Sequence, residues 1–232
     1  MSNFHNIAED KKKIIESGLN PKLVVLDLDF TVWPFDCDKH IRPPFIFDGV
    51  NARDKFGQLA NPYYDVPYIL KILIELNIPV AIASRNPSSE FCKSLLQTIR
   101  IPDSTLTLWD AIPSENLFHA YSSGGYGNGG GKTKHFTNIQ NFCNIAFSDM
   151  LFFDDNIENI LVAQKSGVTS VHLSQAHGLT WGAFEAGLNG WRSRIRPVKC
   201  LETQMTTILE ESKKENTSEN SKSEGGSLLV AG

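Results

Sequence analysis

Leu23-Val24-Val25-Leu26-Asp27-Leu28-Asp29-Phe30-Thr31 decides how this chain is read. Four apolar residues run straight into a carboxylate, and a second carboxylate follows two places on. An unbroken apolar run suits a central strand of a parallel sheet, which is buried on both faces and so shows no alternation. A carboxylate inside such a run is costly to bury without a partner. Asp27 is therefore not an ordinary surface aspartate. Asp29, two residues further along extended backbone, points to the same side.

Outward from this segment, short apolar runs alternate with helical patterns, which is the signature of an α/β sheet. Ile69, Leu70, Ile72, Leu73 and Leu76 recur at the helical period over 67–76. Further helices are predicted from Ser88 or Ser89, either of which can cap, through Leu96, and then over 132–143, 157–166 and 180–188. Strands are predicted over 79–83, 105–109 (weaker), 150–153 and 169–173. The result is a Rossmann-like three-layer sandwich with a mostly parallel sheet. The interval 31–68 has room for a small hairpin or flap but not for a helical cap domain.

With 232 residues, the chain can bury one sizeable core. Hydrophobic content of 41%, charged content of 21% and a net charge of -4 are ordinary for a globular domain and give no basic footprint for nucleic acid. Cys37, Cys92, Cys143 and Cys200 are scattered, with no C-x-x-C pair, so thiols in a reducing compartment are expected rather than a zinc site. Residues 1–20 form a polar extension without a signal-peptide core. No apolar run approaches the ~18 residues of a membrane span. A cytoplasmic protein with no membrane partner is expected. The core domain spans 21–198, and the polar stretch 199–232 is too poor in apolar residues to fold alone. The glycine-rich stretch 122–131 reads as a flexible loop. It is not a phosphate-cradling Walker loop, because Tyr126 stands where the motif before Gly131-Lys132-Thr133 needs glycine.

Four carboxylates stand where strands end: Asp27, Asp29, Asp154 and Asp155, with Ser84 at the end of another strand. Ligands of open α/β sheets bind in the crevice beyond the carboxyl ends of the strands. Several carboxylates converging there repel one another unless a cation neutralises them, and an all-oxygen site suits Mg²⁺. Taken alone, Asp154-Asp155 reads equally well as a helix-capping pair.

Together these residues resemble a known family. Asp27 to Thr31 fits the D-x-D-x-T signature of haloacid-dehalogenase-like phosphatases, with Ala83-Ser84-Arg85, Lys132 and Phe153-Asp154-Asp155-Asn156 where the later motifs belong. The resemblance sharpens to the eukaryotic magnesium-dependent phosphatases through Asp27 to Phe35, Pro43-Pro44-Phe45, Arg53-Asp54-Lys55-Phe56-Gly57-Gln58, Val80 to Arg85, Lys132 to Phe136 and Phe152 to Asn159. It covers residues 21–190; the N-terminal extension, the glycine-rich stretch and the polar tail have no counterpart in it.

The resemblance implies that Asp27 attacks phosphorus to form an aspartyl-phosphate, with Asp29 as general acid and then general base. It implies Mg²⁺ held by Asp27, the Asp29 carbonyl and the Asp154-Asp155 pair, with Asp155 the direct ligand and Asp154 acting through water. Ser84, Arg85 and Lys132 would bind the phosphoryl group, and Asn159 would support the metal shell. Lys134, two residues on, competes for the lysine's place. Trp33, Phe35 and Phe45 are either an entrance lining or core. The implied substrates are phosphorylated small molecules or proteins, phosphotyrosine-like esters or sugar phosphates among them. The competing readings are a phospho-receiver signalling domain and a non-catalytic protein on the same fold.

Overall fold

The computed structural model describes residues 2–122 and 131–195, with side chains from residue 9 onward. The glycine-rich loop, apart from its two end residues, and the tail 199–232 lie outside the described residues. In chain order the elements are α1 (Ser2–Glu16), β1 (Leu23–Leu26), α2 (Cys37–His40), β2 (Ile46–Phe47), β3 (Ala52–Arg53), α3 (Val66–Glu75) and β4 (Val80–Ser84). Then follow α4 (Ser89–Thr98), β5 (Phe118–Ala120), α5 (Thr133–Cys143), β6 (Met150–Asp154), α6 (Ile157–Lys165) and β7 (Thr169–His172). Residues from 181 to 195 are again helical (α7). Met1–Trp191 forms one compact unit, and a second, Arg192–Gly232, is described only as far as residue 195. Among the described residues no helix is long and apolar enough to cross a membrane.

β1 lies in the middle of a five-stranded sheet ordered β5-β4-β1-β6-β7, in which every pairing is parallel. Its four side chains are completely buried. Each stabilises the fold by about 1.5–3 kcal/mol, enough together to offset the desolvation of a neighbouring charge. After β1 the chain moves to β4 and β5 on one side, then returns to β6 and β7 on the other. Parallel crossovers are right-handed, so these two sets of connections leave β1 and β6 on opposite faces of the sheet. A crevice therefore opens between the carboxyl ends of β1 and β6, where Asp27 and Asp154 stand. At the far side of the sheet α7 approaches β6 and β7 closely. A Cβ at Gly187 would lie 2.8 Å from Val171 and 2.9 Å from Phe153, and Phe184 stacks on Phe153 with centroids 5.7 Å apart.

The interval after β1 holds short elements and no cap domain. β2 and β3 form a two-stranded antiparallel hairpin. Asp54, buried at 3% exposure, organises the loop beyond it: Oδ1 accepts from Phe56 N (2.8 Å) and Gln58 N (2.9 Å), and Oδ2 from Arg42 N (3.1 Å). The Arg53 to Gln58 motif is thus a turn whose backbone donors converge on one carboxylate. The polar N-terminal extension is also ordered into α1, with Ile15 buried and Lys12 paired to Glu75 of α3 at 2.9 Å.

Two local expectations are corrected. Residues 105–109 do not make a strand; β5 lies further on. Asp110 Oδ2 accepts from both Thr107 N (2.6 Å) and Thr107 Oγ1 (2.7 Å), which takes that N–H out of any ladder and turns the chain into the 3₁₀ segment Leu108–Ala111. Ser88 stands at the cap position of α4 but makes no side-chain cap bond, because its hydroxyl donates to Asp38 Oδ1 instead.

Candidate active site

Asp27 leaves the sheet in register with the end of β6, its N–H donating to Phe153 O at 3.0 Å. Its Oδ1 accepts from Lys132 Nζ at 2.6 Å, and the same ammonium lies 2.5 Å from Asp154 Oδ2. Lys132, immediately before α5, is 0% exposed. Burial works against its charge, but Asp154 and Asp27 outweigh it, so its pKa is raised and it stays an ammonium. Burial pushes the Asp27 carboxyl well up, Lys132 pulls it down, and Asp154 pushes it up again. Lys134 is exposed, with its ammonium over the Tyr121 ring at 5.8 Å. Of the two lysines, the sheet receives Lys132.

The third and fourth carboxylates are braced differently. Asp154 Oδ1 accepts from Asn156 N at 2.7 Å, and Asn159 Nδ2 reaches both Asp154 oxygens at 3.1 and 3.0 Å. Asp155 Oδ2 accepts from Gln175 Nε2 at 2.7 Å, and burial raises the pKa of this carboxyl. Asp27, Asp154 and Asp155 each offer an oxygen, all within 4.8 Å of one another. When ionised, three carboxylates against one ammonium leave two negative charges, the complement of one divalent cation. Asn159 Oδ1, buried beside them, has no hydrogen-bond partner. An all-oxygen donor set with an orphaned amide oxygen fits a hard cation such as Mg²⁺. Asp155 lines the cleft above this cluster, a space of about 470 Å³ shared with Asp27, Asp29, Ser84, Arg85 and Asn86.

Asp29 is held at both oxygens. Oδ1 accepts from Trp33 Nε1 at 2.8 Å and from Cys37 N at 2.9 Å, while Oδ2 accepts from Asn86 Nδ2 at 2.6 Å. Phe30 adopts φ 54°, and this reversal lets Val32 N return to Leu28 O at 2.8 Å, bringing Trp33 under Asp29. Burial raises the Asp29 pKa against all three donors, which favours a proton-bearing carboxyl. Of the two readings of the aromatic cluster, core is the one found. Trp33, Phe35 and Phe45 are buried, and Trp33 stacks on Phe35 at 5.8 Å. The cleft is lined instead by Phe30, Asp36, Asp38, Lys39 and Pro87, besides the polar residues already named.

Ser84 ends β4 at 1% exposure, and its Oγ accepts from Asn86 N at 3.2 Å. Its carbonyl accepts from Tyr121 N (3.1 Å) and from His135 Nε2 (2.8 Å). His135 Nε2 also faces Tyr121 O at 3.2 Å, so this nitrogen carries the ring hydrogen, while Nδ1 is buried without a partner. A second proton would have to enter at Nδ1. Burial first, then Lys132 and His119, lower the His135 pKa to about 4. A histidine depressed from its unfolded value stabilises the fold fully above pH 6.5, and that contribution is lost as pH falls toward 4, where the unfolded chain binds more protons. Between pH 6.5 and 5 the wild type is expected to lose about 1–2 kcal/mol more stability than His135→Gln in denaturant titrations. Parallel pH profiles for the two proteins would refute this.

Asn86, Gln175, Trp33 and His135 contribute to the site beyond the carboxylates and the lysine. Asn86 before Pro87 reads in sequence as a turn residue, and Gln175 lies 20 residues beyond Asp155 with no local pattern tying it there.

Residues 19–194 match the Acid Phosphatase family. The chain is 38% identical over 161 residues to human "Magnesium-dependent phosphatase 1", covering 68% of this chain and 81% of that one. It is 33% identical over 168 residues to "HAD-like hydrolase superfamily protein P8B7.31" of Schizosaccharomyces pombe, covering 71% of this chain and 92% of that one. Among solved structures, the N-terminal part of the Bacteroides fragilis protein BF1531, which contains a phosphatase domain complexed with Mg, is 22% identical with a TM-score of 0.45. The match covers 79% of this chain and 43% of that one.

Proposed function

The chain belongs to the Acid Phosphatase family, as a magnesium-dependent-phosphatase-like member of the haloacid dehalogenase superfamily, and from that premise we propose that it hydrolyses phosphate monoesters through an aspartyl-phosphate on Asp27. The observation that carries this reading is the buried Lys132 bridging Asp27 and Asp154 across the crevice. Lys132 fixes the rotation of the Asp27 carboxylate through Oδ1 and leaves Oδ2 to attack phosphorus. As the P–O bond to the leaving group breaks, Asp29 gives its proton to the departing oxygen. Asp29, now a carboxylate, then takes a proton from the water that attacks the aspartyl-phosphate, which releases phosphate and restores Asp27.

Asp27, Asp154 and Asp155, with the Asp29 carbonyl, would hold Mg²⁺, Asp155 from the cleft as the direct ligand and Asp154 through water. The bound cation would neutralise charge between a carboxylate nucleophile and an anionic phosphate. Ser84 and Lys132 bind phosphoryl oxygens, and Arg85 binds the substrate's anionic groups from the cleft wall. Asn159 steadies Asp154. With no cap domain among the described residues, the cleft admits phosphotyrosine-like esters and sugar phosphates alike, on small molecules or on protein.

The test is phosphate release from a panel of aryl and sugar monoesters, with Mg²⁺ and with chelator. Multiple turnover in Mg²⁺, falling by at least ~10²-fold on chelation, is expected. Full activity in chelator, or a single turnover that stops at a phosphorylated protein, would overturn the reading.

A further inference from the structure

We propose that Asn86 is a positioning residue that aims the proton of Asp29 at the leaving group and turns the Ser84 hydroxyl toward the phosphoryl group. This rests on the reading of Asp29 as general acid. Asn86 is 5% exposed and lines the cleft. Its Oδ1 accepts from Ser88 N at 2.8 Å, which fixes the sense of the amide and directs Nδ2 to Asp29 Oδ2 at 2.6 Å. Pro87 restricts Asn86 to extended backbone, so the side chain leaves the chain in a fixed direction.

The consequence lies in how the two oxygens of Asp29 differ. Oδ1 already accepts from Trp33 Nε1 and Cys37 N, groups that can only donate. A proton on Oδ1 would have to displace one of them. The exchangeable proton is therefore carried on Oδ2, the oxygen that Asn86 holds. An amide N–H can donate to Oδ2 in both protonation states, since a protonated oxygen keeps a lone pair. Asn86 thus orients the acid through a whole cycle without exchanging a proton itself. Its backbone N–H donates to Ser84 Oγ at 3.2 Å. That occupies an acceptor site on the hydroxyl and leaves the Ser84 O–H to donate outward.

The contrast between leaving groups tests this. An aryl phosphate such as 4-nitrophenyl phosphate departs with little help from an acid, whereas an alkyl phosphate such as 2-phosphoglycerol needs a proton delivered to its oxygen. The measurement is kcat/KM, which reports the steps up to phosphoryl transfer onto Asp27, for both esters in Mg²⁺. Asn86→Ala is expected to lower the alkyl value by about 10²-fold and the aryl value by less than about threefold. Asn86→Ser, polar but too short to reach Asp29, reads the same contrast should Asn86→Ala fail to fold. Equal losses on both esters, or no loss on either, overturn the inference. Asp27→Asn is assayed in parallel. If it turns over substrate, the underlying reading fails; if it is inactive while the Asn86 variants show no contrast, only the role of Asn86 fails.

Discussion

Asp27→Asn is expected to lower kcat by on the order of 10⁴-fold on every phosphate ester, while the metal-free protein becomes no less stable. The substitution keeps the size of the side chain and removes its charge. Asp27 Oδ1 now accepts from Lys132 at 2.6 Å, and a carboxamide oxygen can still do so. What disappears is the attacking carboxylate, and neither Asp29 nor Asp154 can replace it. Asp29 has both oxygens held by other donors, and Asp154 is completely buried against Lys132 and Asn159. On the stability side, burial and Asp154 both push the Asp27 carboxyl up, so the ionised form is sustained at a cost that Lys132 only partly offsets. Removing one of three clustered negative charges relieves that cost, as expected where a site is strained for function. Phosphate release and chelator-treated denaturant melts on the same two proteins check both halves. Turnover by the variant, or a large loss of metal-free stability, would refute the assignment of Asp27 as nucleophile.

The sequence made the centre of this fold legible because burial on both faces leaves a visible trace. Leu23 to Leu26 is an unbroken apolar run, and a carboxylate placed at its end has few explanations. The ends of β4 and β6 carried similar marks in Ser84 and in Asp154-Asp155. The sheet then brings three of these carboxylates together within 4.8 Å. What was illegible depends on competition between hydrogen bonds. Residues 105–109 have a strand-like composition, but Asp110 captures the Thr107 N–H and the chain turns. Ser88 has the composition of a cap, but Asp38 captures its hydroxyl. Trp33 read equally as core or entrance because its ring and its N–H serve different purposes: the ring is buried, and the N–H holds Asp29. Asn86 and Gln175 carry no local signal because each acts on a carboxylate distant in sequence, 57 and 20 residues away. Only the parallel pairings of β1 with β4 and of β6 with β7 bring them within reach.

Lys132→Met is expected to destabilise the metal-free protein by about 3–5 kcal/mol, the usual result of stripping one partner from a buried ion pair. Lys132 is completely buried, and the carboxylates it serves, Asp27 and Asp154, are 10% and 0% exposed at their side chains. Methionine fills the same space with no charge, so the cluster is left without its only cation among the described residues that contact it. Two responses are open to such a cluster, and both can be measured. One is to take up protons, so the deficit should be larger at pH 8 than at pH 5, where the carboxyls are protonated more readily than in the wild type. The other is to take up a divalent cation, so Mg²⁺ should stabilise Lys132→Met more than it stabilises the wild type at equal concentration. Activity stays low in Mg²⁺, by about 10²-fold or more, because the charge facing the phosphoryl oxygens is missing. Lys134→Met is the control, since that side chain is exposed and lies only over Tyr121. It should change stability by no more than about 0.5 kcal/mol and leave turnover intact. Denaturant melts with chelator and with Mg²⁺ at the two pH values discriminate fully. A metal-free Lys132→Met protein as stable as the wild type, or a Lys134→Met protein that loses activity, would mean the wrong lysine has been placed between the two carboxylates.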